Sequence, residues 1–347
     1  NYVLNLLKFI GFPPIWNFLI HLIFSGLGVY VLLRYFKINS IGALFGAFIF
    51  MLMPYMNICI VQGHGSQLMT AAYIPWITYA LFKLWENPNI KNIALLGLFV
   101  GFQLQRGHIQ IAYYTWLMIA IYIIYMLILT NFSILKYYKK YLFTFLALCS
   151  GFFMATSIFI PSFKYAPLSI RGAINGGAGY EYATSWSFTF QEMITFLLPS
   201  FYGMGGKITY WGTLPFTDFP NYLGIIVIIF SVYAIHLAKN NKNILFFSVV
   251  TTFFILLSMG KNFPFLFDTL YNYLPFFNKF RVPMMSLMVA QFGIAVLSGF
   301  GLHQFIKSLK DYSNYNLNKM ILSGVVLGIL FIIFNFFYID KIEYGAG

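Results

Sequence analysis

A handful of cationic side chains in this sequence could grip an anion, and a few carboxylates lie among them. Arg106-Gly107-His108 interrupts two apolar runs, and His64 stands in a similar turn, Gln62-Gly63-His64-Gly65. Arg171 follows an apolar run that closes at Pro161, and Arg281 heads another in Phe280-Arg281-Val282-Pro283. A guanidinium at the mouth of a helix whose first amides are unpaired is placed to hold a phosphate. Arg106, Arg171 and Arg281, with His64 and His108, would make an anion clamp if the fold gathered them. The plainer alternative is that each arginine snorkels to a membrane interface as an anchor.

Proton transfer needs a carboxylate or a histidine. The acidic residues that accompany these cations are Glu181, Glu192, Asp218 and Asp268. Glu192 and Asp218 are the candidate bases, and Tyr210 and Trp211 are candidates to line the substrate. Asp218 also suits a helix cap, since an apolar run succeeds Thr217-Asp218-Phe219-Pro220. Glu192 also suits a solvated position, because its stretch, Phe188–Leu198, is amphipathic and fits a membrane surface. The carboxylates are spread without metal-ligand spacing, so no metal site is predicted. No P-loop, GxSxG, HExxH or paired CxxC pattern occurs. Nucleotide hydrolysis, a serine triad and a zinc protease are thereby excluded.

The elements that must position these residues are membrane helices. Hydrophobic residues make up 60% of the 347, charged residues only 8%, and the mean hydropathy is +0.78. Lipid is the solvent that accepts such a surface. The chain is read as all-α: a polytopic bundle and a single transmembrane domain over 1–347. Apolar runs predict about ten spans, near 14–34, 40–58, 68–85, 91–105, 108–130, 141–162, 221–238, 243–260, 282–306 and 319–338. Residues 264–275, bounded by Pro264 and Pro275, are too short to cross and predict a re-entrant or interfacial helix. No internal repeat is visible.

The net charge of +13 does not indicate nucleic acid, because the basic residues sit in short loops and form no stripe. If the first span ends in the cytoplasm at Arg34 and Lys37, every short lysine-bearing loop falls on that side. The opposite side then holds His64, Arg106, His108, the stretch Lys261–Arg281 and one long loop, 163–220. Long loops mixing glycine, aromatic and charged residues are where membrane enzymes and transporters keep their sites. Cys59 and Cys149 lie in apolar runs and read as packing residues.

The outer motifs run in a familiar order. GHGSQLMTAAYIPW (63–76) is succeeded by GFQLQRGHIQIAYY (101–114), IPSFKYAPLSIRG (160–172) and YEYATSWSFTFQEMITFLLPSFYG (180–203). TYWGTLPFTDFPNYLG (209–224) and LSMGKNFPFLFDTLYNYLPFFNKFRVPMMSL (257–287) complete the set. Over residues 14 to 306 the sequence resembles the YfhO-like bacterial membrane proteins, which look like glycosyltransferases of the GT-C type. The resemblance implies a GT-C-like bundle in a bacterial inner membrane with its active face in the periplasm. It implies transfer of a sugar from a polyprenyl-phosphate donor to a glycan, lipid or protein acceptor. It coincides with His64, Arg106, His108, Arg171, Glu192, Tyr210, Trp211 and Arg281. No organic cofactor is implied, while some GT-C enzymes use a divalent cation.

In GT-C enzymes the main carboxylate usually comes after the first span. Asn1–Phe12 would be only the tail of that loop, so the first span and the main base are expected before Asn1. A C-terminal part is expected after Gly347. Two other readings share the basic outer mouth: a non-catalytic subunit of a larger membrane assembly, and a transporter or flippase of a lipid-linked glycan.

Overall fold

The computed structural model describes residues 11, 13, 15–168, 179–206, 208–237 and 241–311. The predicted span at 319–338 and the candidate Arg171 lie outside the described residues. Asn1–Leu302 forms one compact unit, and a second begins at His303.

The described residues form helices and loops without a strand. The first nine helices are α1 (Ile15–Tyr35), α2 (Ser40–Leu52), α3 (Pro54–Val61), α4 (Gly65–Ala71), α5 (Ile74–Glu86), α6 (Ile90–Leu104), α7 (Ile109–Leu129), α8 (Tyr138–Met154) and α9 (Thr156–Tyr165). After the long loop come α10 (Tyr180–Ala183), α11 (Ile225–His236), α12 (Lys242–Ser258), α13 (Pro264–Tyr273) and α14 (Leu287–Asp311). Asparagines start several of them. Asn39 Oδ1 accepts from Gly42 N at 2.8 Å, Asn89 Oδ1 from Asn92 N at 3.0 Å, and Asn241 Oδ1 from Asn243 N at 2.9 Å. Each bond satisfies an amide that the first turn leaves open.

Among the described residues, Ile15–Tyr35, Ser40–Val61, Ile109–Leu129 and Pro283–Leu309 are long and apolar enough to cross a membrane. Leu135–Met154 with Thr156–Ser162 makes a fifth if this pair, bent by 69°, is one span. Ile90–Leu104, Ile225–His236 and Lys242–Ser258 are apolar but shorter. These helices are compatible with a membrane protein.

The departures from the predicted runs have local causes. The run 68–85 breaks between α4 and α5 because Pro75 lacks an N–H and its ring crowds the carbonyl four residues back. Pro54 divides α2 from α3 in the same way. The run 221–238 turns helical only at Ile225, after Gly224 in the left-handed region at φ 98°. The short helix predicted between Pro264 and Pro275 is α13.

Packing relies on small residues. A Cβ on Gly151 of α8 would lie 2.6 Å from Val100 Cγ1 and 2.9 Å from Gly101 N of α6. A Cβ on Gly46 of α2 would lie 2.7 Å from the Ala295 carbonyl of α14. Where lipid is the solvent, association depends on backbones approaching this closely. From Leu287 to Phe300, α14 is buried almost throughout, with Ser231 of α11 donating to the Ile294 carbonyl at 3.0 Å. A helix apolar on all sides belongs at a bundle's centre. The helices around it turn Ile23, Ile41, Phe48 and Phe153 outward.

Gly301 is the tightest approach in this bundle: a Cβ there would stand 1.9 Å from the Phe230 carbonyl oxygen. Backbone cannot rotate away as a side chain can. Gly301→Ala is therefore expected to destabilise the bundle by about 2–3 kcal/mol. The measurement is the thermal midpoint of detergent-solubilised protein, and an unshifted midpoint would refute the close packing.

Candidate functional site

The long loop docks on the end of α12 before it builds anything. Phe188 N donates to the Ser258 carbonyl at 2.9 Å, and Asn262 Nδ2 donates to the carbonyls of Ser187 and Phe188 at 3.2 and 2.9 Å. Tyr180 donates to Asp268 Oδ1 of α13 at 2.6 Å. Burial, and then that bond, raise the Tyr180 hydroxyl to about 12. Glu181 and Lys261 form an exposed ion pair at 3.5 Å, a weak tie at the loop's start.

From this footing the chain makes about two turns of 3₁₀ helix, Gln191–Phe196, which carries Glu192 inward. Glu192 is 2% exposed. Its Oε1 accepts from the Tyr210 hydroxyl and, at 3.2 Å, from Thr213 N. The Tyr210 oxygen in turn accepts from Leu214 N at 3.0 Å. Burial, and then the Glu192 bond, hold the Tyr210 hydroxyl well above its ordinary value of 10, so it keeps its proton at working pH. Gly212 is what lets the two meet: a Cβ there would lie 2.3 Å from both Glu192 Oε1 and the Tyr210 oxygen.

Both of these bonds fall on Oε1, which leaves Oε2 to an open cleft of about 310 Å³, mouth included. Thr195, Ser200 and Thr217 line the cleft with hydroxyls, and Tyr202 and Phe219 with rings. The loop holds its shape through reciprocal bonds between Gly205 and Thr217 at 2.7 and 3.2 Å, and Trp211 N donates to the Tyr202 carbonyl at 2.9 Å. Leu223 N donates to the Phe196 carbonyl at 3.1 Å, which brings the segment containing Asn221 back beside the Glu192 turn. Most of that space is the open mouth; the enclosed part is about 20 Å³, room for about one water, so a larger substrate would meet Glu192 only across the mouth.

The other candidates fall in separate places. His64 packs on Phe219 with centroids 5.5 Å apart, so it stands at the rim of the Glu192 cleft. Trp211 is exposed and rests on Tyr202 and Phe201 at 4.7 and 5.5 Å. Asp218 is half-buried between Thr217 and Phe219 and does not line the cleft itself. Arg281 and His108 belong to a second cluster. The Arg281 carbonyl accepts from Gln110 Nε2 at 2.6 Å, and its guanidinium lies over the Tyr182 ring at 5.4 Å. His108, two residues before Gln110, caps α7 through Nδ1, which accepts from Ile111 N at 3.3 Å. Arg106 faces a different ring, Tyr73, at 5.9 Å and bonds the Phe102 carbonyl at 3.2 Å. No contact among the described residues joins Arg106 to Arg281.

Several partners escaped sequence reasoning: Gly212, Asn221, Gln110, Tyr182 and Val282. Val282 is left-handed at φ 57°, although it is β-branched and precedes a proline. Such a conformation costs about 1–3 kcal/mol and persists only where the surroundings impose it. Here it fixes the exit of the backbone from Arg281. Among the described residues no three His, Cys, Asp or Glu side chains group as a metal site. Comparison with protein-family models, with curated proteins and with solved structures finds no match for this chain.

Proposed function

We propose that the chain is a polytopic GT-C-type glycosyltransferase of a bacterial inner membrane, of the YfhO-like kind. In this reading a sugar moves on the periplasmic face from a polyprenyl-phosphate donor to a glycan, lipid or protein acceptor. The observation that carries it is the buried Glu192, held at Oε1 by Tyr210 and Thr213 and free at Oε2 in a hydroxyl-lined cleft. A carboxylate fixed on one oxygen and open on the other can take a proton. The acceptor hydroxyl gives its proton to Glu192 as its oxygen bonds the anomeric carbon of the donor sugar. The bond from that carbon to the phosphate breaks, and polyprenyl phosphate leaves with the electron pair.

The leaving phosphate needs cations. Arg281, set on Tyr182 and Gln110 beside His108, is the group best prepared to supply one. His64, packed on Phe219, stands at the rim of the Glu192 cleft itself. The test is to supply full-length protein in proteoliposomes with radiolabelled polyprenyl-phosphate sugars and an extract of envelope acceptors. Label is expected to reach the acceptor, and Arg281→Ala is expected to slow this about a hundredfold. Absence of product with every donor would remove the reading. Full turnover by a folded Arg281→Ala protein would remove Arg281 from it.

Tyr210→Phe tests the support of Glu192. It deletes one donor and leaves the Thr213 amide, so turnover is expected to fall about tenfold. Because Tyr210 is protonated throughout the working range, the alkaline limb of the pH–rate profile should not move. A displaced limb would show Tyr210 itself titrating in the reaction.

A further inference from the structure

The loop between α7 and α8 joins two kinds of side chain that no single solvent satisfies. Lys136, Lys139 and Lys140 crowd together at the start of α8, whose first turn has no acidic residue. Among the described residues none of the three forms an ion pair. The ammonium groups of Lys136 and Lys140 both approach the Tyr137 ring, at 5.6 and 5.4 Å from its centre. A ring attracts a cation but leaves its charge uncancelled. Lys83, in another basic stretch, is placed differently: it donates to the Tyr79 hydroxyl at 3.2 Å and shares its helix with Glu86.

Around the lysines Phe132, Ile134, Leu135 and Tyr138 are exposed, Leu135 at 89%. The backbone imposes part of this. Asn131 and Phe132 are both left-handed, at φ 48° and 56°, and Phe132 N donates to the Leu127 carbonyl at 2.8 Å. That conformation is ordinary for an asparagine closing a helix and unfavourable for a phenylalanine. Water suits the lysines but not four exposed apolar side chains, and hydrocarbon suits the reverse. The boundary where anionic headgroups meet acyl chains suits both. The loop's neighbours are Ile109–Leu129, long and apolar enough to cross a membrane, and Leu135–Met154, the first part of the bent apolar pair. A bilayer crossed by these helices has its surface at this loop.

We infer that this loop is a docking site for anionic phospholipid headgroups. Lys136, Lys139 and Lys140 take the phosphates, and Phe132 and Leu135 lie among the acyl chains. A zwitterionic headgroup carries its own cation and offers the lysines little net attraction. The inference is independent of the transferase reading and of which leaflet the loop meets.

The experiment measures lipids retained by full-length protein in native mass spectrometry, after release from micelles mixed with phosphatidylglycerol or phosphatidylcholine. Phosphatidylglycerol is expected to be retained in preference, and inorganic phosphate is expected not to displace it. Lys136→Gln/Lys140→Gln is expected to weaken its binding about thirtyfold. Phe132→Ser/Leu135→Ser is expected to weaken it at least about tenfold. Lys91→Gln/Lys242→Gln removes the same charge from two other loops and is expected to leave binding within about twofold. Thermal midpoints report folding, and Lys136→Gln/Lys139→Gln replaces the first variant if that one does not fold.

Equal retention of the two lipids would overturn the inference, as would unchanged retention in the folded lysine or apolar variants. An equal loss in the Lys91/Lys242 variant would assign the attraction to the charge of the whole protein. Displacement by inorganic phosphate would make the lysines a site for the free anion. Either result removes the loop as a lipid site.

Discussion

Replacing Glu192 with Gln is expected to lower sugar transfer about a thousandfold and to leave the thermal midpoint within a few degrees. The two halves of this expectation come from different atoms. Glutamine keeps the shape of glutamate and an oxygen that can still accept from the Tyr210 hydroxyl and the Thr213 amide. The loop is therefore kept. What disappears is the free carboxylate oxygen facing the cleft, the only part of the side chain able to take a proton from a substrate hydroxyl. A buried carboxylate that merely staples the loop would give the opposite pattern, a lower midpoint and normal turnover. Steady-state transfer and differential scanning fluorimetry on the same preparation separate the two. Turnover within tenfold of the parent protein ends the case for Glu192 as the base.

The second large effect is expected at a residue with no side chain. Gly212→Ala places a methyl group 2.3 Å from both Glu192 Oε1 and the Tyr210 oxygen. Glu192 and Tyr210 are both buried, so the methyl can be accommodated only by displacing one of them toward the cleft. The pair must separate, and a buried carboxylate and a buried hydroxyl then each lose a partner. That costs about 1–3 kcal/mol per group. Transfer is expected to fall by at least about a hundredfold, and protease cleavage within 186–217 is expected to accelerate. A Gly212→Ala protein with normal turnover and an intact loop would mean that the proposed activity does not need the carboxylate and phenol held together.

Much of the fold is legible in the sequence, for reasons that can be named. Helices at 15–35, 109–129 and 287–311 come from long apolar runs, because depth in a bundle is written in composition. Breaks at Pro54 and Pro75 come from the missing N–H of proline, and a uniform hydropathy window hides them. Glu192 and Tyr210 stand out as separate candidates, and nothing in a gap of 18 residues states that one side chain will bond the other. That bond depends on Gly212, whose role is the absence of a Cβ and so leaves no chemical mark. The arginines illustrate the converse. Sequence places Arg106 and Arg281 at similar depth but says nothing of the direction each faces, and in the fold they rest on different rings, Tyr73 and Tyr182. Asn221 lies within the motif TYWGTLPFTDFPNYLG and still looks like an ordinary loop residue, because an unpaired amide is a property of its surroundings.

The burial of α14 also constrains how the protein is made. Synthesis delivers helices in order, N-terminal first. The helix with the fewest exposed side chains, from Leu287 to Phe300, is the last of the described set to leave the ribosome. Until it arrives, the grooves at Gly42, Gly46 and Phe230 have nothing to close on. Among the described helices, the earlier ones can therefore reach their final packing only once Leu287–Phe300 has arrived, so the centre of the described set closes after its surround.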